Sequence, residues 1–131
     1  MYKIVRKTSG YVLTFGGVIG AEEMKQWYRD SEKALAKENG SFGVIVDMRT
    51  LAPLLGDAQK IMVEGQTLYR KAGMVRSAVI LSKAFTTAQF KRLAKLSGIH
   101  EWERYIDATA TDNWKDLAID WVKHGIDPDR A

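Results

Sequence analysis

Short β-prone runs alternate with helix-period stripes along this 131-residue chain, and that alternation leaves few folds open. Tyr2 to Arg6 and Tyr11 to Phe15 read as two strands joined through Thr8-Ser9-Gly10, which is hairpin spacing. Gly16 and Gly17 break the second strand, and a helix is expected from about Ala21. Glu22 and Glu23 suit its positive end, and Met24, Trp27, Tyr28, Ser31, Ala34 and Leu35 form its buried stripe. Gly43 to Met48 is a nearly continuous apolar run, as in a central parallel strand covered on both faces. After a loop holding Pro53 to Gly56, Asp57 is a candidate N-cap for a helix whose stripe runs from Ala58 through Ile61, Met62, Gly65, Leu68 and Tyr69 to Ala72.

The pattern then repeats. Gly73 suits a helix end, and Ser77 to Leu81 reads as a strand. Thr86-Thr87-Ala88-Gln89 reads as a capping box for a helix with Phe90, Leu93 and Ala94 inward, closed by Gly98. Trp102 to Ile106 alternates like an edge strand. Thr111 or Asp112 is expected to cap a last helix with Trp114, Leu117, Ala118, Trp121 and Val122 inward. The order β-β-α-β-α-β-α-β-α predicts an α/β domain: a hairpin followed by a β-α superhelix, with a mainly parallel sheet of about five strands and four helices. Residues 1–124 form one domain in this reading, and 125–131 a tail expected to fray.

Composition narrows the chemistry. There are no cysteines, which removes disulfides, thiolate metal sites and Cys nucleophiles and suits a reducing compartment. No apolar run approaches the roughly 18 residues of a membrane span, and MYKIVRK lacks a signal-peptide core, so a cytoplasmic location is expected. The net charge of +4 is unevenly spread: residues 60–95 carry 8 basic side chains against Glu64 alone, while residues 96–131 carry 4 basic and 8 acidic. Such a split can steer an acidic partner or bring two copies together as a homodimer, although charges clustered along the chain need not form one surface patch. Nucleic-acid binding is not expected, because Tyr69 and Phe90 in the basic segment are assigned to the core.

No complete catalytic motif is present. Gly16-Gly17-Val18-Ile19-Gly20 lies where dinucleotide-binding proteins place a glycine-rich loop, but Phe15 occupies the first glycine position and Asp47 follows Gly17 by 30 residues. These glycines read more simply as a strand end and a helix start. His100 and His124 have no metal-ligand spacing. Asp47, Arg49, Ser82, Lys83, Asp107 and Thr109 are expected at the carboxyl edge of the sheet, where ligands of open parallel sheets bind. No cofactor or metal is implied.

The stretches Tyr11 to Met24 (YVLTFGGVIGAEEM), Val44 to Met48 (VIVDM) and Asn113 to Val122 (NWKDLAIDWV), in this order of elements, resemble the STAS domain, named for sulfate transporters and anti-sigma factor antagonists. They look most like bacterial SpoIIAA-like proteins (STAS/SEC14-like), whose fold is shared in outline by CRAL-TRIO lipid-binding domains. The resemblance implies a non-catalytic regulatory domain that binds a protein partner or a small ligand. It also implies a kinase-controlled serine after the VIVDM strand. The matching stretch, Leu55-Gly56-Asp57-Ala58, holds no hydroxyl, and Asp57 either imitates a charged site or caps the helix. The expected binding residues are Leu54, Leu55, Gly56, Asp57, Met62, Ser82 and Lys83. The alternative is a carrier or sensor of a lipid or other apolar small molecule, held by the Leu51–Leu55 loop, Met62 and Tyr69. That reading calls for a pocket of a few hundred cubic ångströms between the second helix and the sheet.

Overall fold

The computed structural model describes residues 1–130. Among them, β1 (Tyr2–Lys7) and β2 (Gly10–Gly17) form the antiparallel hairpin, followed by α1 (Ala21–Leu35), β3 (Phe42–Leu51) and α2 (Asp57–Ala72). Then come β4 (Met74–Leu81), α3 (Ala84–Ser97), β5 (Glu103–Asp107), α4 (Trp114–His124) and a short 3-10 turn at Pro128–Arg130. The strands lie in the order β1-β2-β3-β4-β5, and every pair beyond the hairpin is parallel. The expected α/β fold is therefore the observed one.

Three crossovers that each advance one strand in the same direction place α1, α2 and α3 side by side on one face. Helix α4 packs on the other face, over β3, β4 and β5. Strand alternation serves both layers. Leu13, Phe15, Val44, Val46 and Met48 enter the α1–α3 core, while Ala78, Ile80 and Ile106 meet Ala118, Trp121 and Val122 of α4. Strand β4 is buried on both faces from Ser77 to Leu81, which is why it reads as an unbroken apolar run.

The α1–α2 contact is built around Trp27. Its ring stacks on Tyr69 at 5.9 Å and meets Phe15 edge-on at 5.3 Å, and Tyr69 Oη and Ser31 Oγ are hydrogen-bonded at 2.8 Å. Gly65 leaves room for the ring: a Cβ there would lie 2.1 Å from Trp27. The glycine in the middle of a good helical stripe is a packing feature that lets two helices approach.

Several local expectations are corrected. Thr86 and Gln89 do not form a capping box: α3 begins at Ala84 with Lys83 as N-cap, and both side chains bond to the neighbouring loop instead. The N-cap of α2 is Gly56 and not Asp57, and that of α4 is Asn113 and not Thr111 or Asp112; none of these caps makes a side-chain hydrogen bond. The segment expected to fray is tied down as far as Arg130. Arg104 donates to both Asp127 carboxylate oxygens, at 2.9 and 3.1 Å, while its guanidinium lies 4.3 Å from the Trp121 ring centre. Ala131 lies outside the described residues.

Candidate functional site

The parallel strands β2, β3 and β4 end on the same edge of the sheet, and the three connections that leave them, the third taken through the first turn of α3, share one construction. Each carries a buried anchor beside an exposed apolar residue. Ile19 is buried and Val18 is 81% exposed; Leu54 is buried and Leu55 is 76% exposed; Thr86 is buried and Phe85 is 76% exposed. Single exposed apolar residues are ordinary; here three large ones stand on adjacent β-to-α connections at one edge of the sheet.

Hydrogen bonds tie the row together. The Ala52 N–H donates to Gly17 C=O at 3.0 Å, joining the first loop to the second. Gln89, on α3, receives the Leu54 N–H at Oε1 and donates through Nε2 to Leu54 C=O, both at 2.8 Å. Thr86 Oγ1 donates to Leu51 C=O at 3.4 Å. The second loop is thus clipped to the helix of the third. Gly56 closes it with φ at +53° and ψ at −131°, a backbone state that side chains with a Cβ rarely adopt.

The expected binding residues separate into two groups. Leu54, Leu55, Gly56 and Asp57 lie on the second loop and the start of α2, and Ser82 and Lys83 lie on the third loop, so the Gln89 clip brings them into one neighbourhood. Asp57 is exposed at the first helical position, where a carboxylate favours the helix dipole. Lys83 is exposed and Ser82 half-buried; Lys83, with Thr87, Lys91, Tyr105 and Asp107, lines a surface depression of about 420 Å³. Met62 is elsewhere. It is buried under α2 and lines an interior cavity of about 30 Å³ with Trp27 and Tyr69. That volume suits one or two waters, whereas drug-sized ligands occupy pockets of roughly 300 Å³ or more.

The polar edge residues are occupied by local structure. Arg49 donates to both Asp47 carboxylate oxygens, at 3.0 Å each, and its guanidinium lies 4.4 Å from the Trp114 ring centre. Burial raises the Asp47 carboxyl, but hydrogen bonds from Arg49 and the charges of Arg49 and Lys115 outweigh it and hold the group below the usual range. Asp107 accepts from Thr109 N–H at 2.8 Å and Thr109 Oγ1 at 2.6 Å, an Asx-type turn that lowers its carboxyl. Gly17, with φ at +70°, ends β2 and Gly20 caps α1, as expected of a strand end and a helix start. Among the described residues no group of three His, Asp or Glu could hold a metal ion, and no helix is long and apolar enough to cross a membrane.

One titratable group escaped the sequence reading. Glu103 is buried against the small cavity, with no cation bonded to it. It accepts from Ser77 Oγ at 2.9 Å and Tyr105 Oη at 2.6 Å. Burial pushes its carboxyl up to about 7, only partly opposed by those two hydrogen bonds. The signal was present in the strand alternation: in WERYI, Glu103 shares a face with Tyr105, which points inward. Phe85 was equally legible. It lies five positions before Phe90, about 140° around the helix from that core residue. Comparison with family models, curated proteins and solved structures gives no match for this chain.

Proposed function

We propose that the chain is a non-catalytic regulatory domain of STAS-like character that docks a protein partner on the carboxyl edge of its sheet. The observation that carries this reading is the row Val18, Leu55 and Phe85, exposed on two adjacent loops and the first turn of α3, which hydrogen bonds tie together. Connections tied in this way lose less conformational freedom on binding, so the apolar area they bury is available for affinity. Exposed aromatic and aliphatic anchors with a polar surround are the usual centre of a protein–protein contact. The order of elements supports the STAS-like assignment. Docking at Leu55-Gly56-Asp57-Ala58 is not gated by phosphorylation, because that junction has no hydroxyl.

The test is affinity capture from the source cells with wild-type protein and with Leu55→Ser/Phe85→Ser, read by quantitative mass spectrometry. Both positions are exposed, so the variant keeps its fold and thermal midpoint. A partner retained by wild type and lost by the variant is the expected result; equal recovery of every captured protein refutes the reading.

A further inference from the structure

Resting on the docking reading above, we infer that the partner presents an acidic protein segment, which lies along the outer face of α3 and ends on Phe85 and Leu55. Helix α3 contains no Asp or Glu and carries Lys91, Arg92 and Lys95 on its exposed side. Phe85 and Leu96 bracket these cations at 76% and 65% exposure. They are eleven positions apart, three helical turns, and so share one face about 16 Å long.

The uneven charge of the sequence becomes a surface here. Among the described residues, none of the basic side chains between Lys60 and Lys95 is in a salt bridge, although ion pairs occur elsewhere in the fold. Arg92 is oriented instead by the neutral Gln59 amide, and Lys91 lies 5.6 Å from the Tyr105 ring centre. Cations outside any salt bridge, beside apolar anchors, complement a segment that alternates carboxylates with aliphatic or aromatic residues. The carboxylates of such a segment stay over α3 and only its apolar end reaches Leu55, whereas a flat anionic membrane laid across the same edge also meets the exposed Asp57, so a protein is favoured. A second copy has no acidic α4 to offer: that helix, on the opposite face of the sheet, carries Lys115 and Lys123 against Asp116 and Asp120.

The experiment uses the full chain and a helical peptide with Leu and Phe at i, i+3 and i+4 spacing and Glu between them. Its Gln-for-Glu counterpart and phosphatidylserine-containing vesicles serve as alternatives. The acidic peptide binds, shifts the Phe85 and Leu96 resonances, and weakens steeply with added salt. The Gln peptide binds at least about tenfold more weakly, and Lys91→Glu/Arg92→Glu/Lys95→Glu loses the acidic peptide by a similar factor at an unchanged thermal midpoint. Equal binding of the two peptides, peptide shifts elsewhere on the surface, or vesicle binding abolished by the same triple variant overturns the inference. If the acidic peptide fails while Leu55→Ser/Phe85→Ser still loses a captured partner, the charge assignment falls and the docking reading stands.

Discussion

Replacing Glu103 with Gln is expected to stabilise the protein at neutral and alkaline pH and to do little in acid. The carboxyl is held at about 7 in the folded chain against an ordinary value of 4.5, so the folded state binds the proton more tightly than the unfolded state. Stability from this group is fully present below about pH 4.5, falls between about 4.5 and 7, and levels off above, with a total loss of about 3 kcal/mol. The hydrogen bonds explain why Gln suits the site. Protonated Glu103 donates to Tyr105 Oη, which turns its own proton to Phe90 C=O at 3.3 Å, while Ser77 still donates to the other oxygen. An amide nitrogen in place of the protonated oxygen keeps these bonds and adds one further N–H, which faces the same small cavity region without a charge to bury.

Thermal unfolding of wild type and Glu103→Gln, each at about pH 4.5 and about pH 8, isolates the effect, because contributions from Asp47, Asp107 and Asp127 are common to both proteins and cancel in the difference. The variant should gain about 10 °C over wild type at the higher pH and almost nothing at the lower, taking about 3–5 °C per kcal/mol for a domain of this size. A difference that stays constant across the range, or a variant less stable at alkaline pH, refutes the assignment of Glu103 as a buried carboxyl without a counter-charge.

Two further perturbations test the packing that positions the edge. Gly65→Ala forces a Cβ into the Trp27 ring and should cost about 2 kcal/mol or more, net of the roughly 1 kcal/mol that alanine gains over glycine in a helix; a neutral effect on the thermal midpoint contradicts the described contact. Gln89→Ala removes both bonds that clip the second loop to α3, so amide exchange at Leu54 should speed by about tenfold with global stability little changed. Unchanged exchange at Leu54 means the loop is held by other contacts.

The fold was legible because its signals are periodic and redundant. Each helix stripe repeats its inward positions, and Ser77 to Leu81 is apolar enough to place β4 inside the sheet, covered on both faces. Helix starts were less legible, because they depend on one side chain choosing among nearby partners. Thr86 and Gln89 have capping-box spacing, yet both serve a loop more than thirty residues away in sequence, and a local pattern carries no information about that. The edge residues Leu55 and Lys83 could be placed from topology alone. The split between Leu54 and Leu55, one buried and one exposed, required the three-dimensional loop. Met62, expected beside them, lies on the inward face of α2, as its own helical spacing indicated.

Photo-cross-linking in the source cells tests the docking account most directly, with a photoreactive side chain placed at Leu55, Phe85 or the control position Ser41, which is exposed at the opposite end of the sheet. The same cross-linked protein is expected from Leu55 and Phe85 and none from Ser41. Cross-links from Ser41 at equal yield, or no adduct from either edge position, would contradict it.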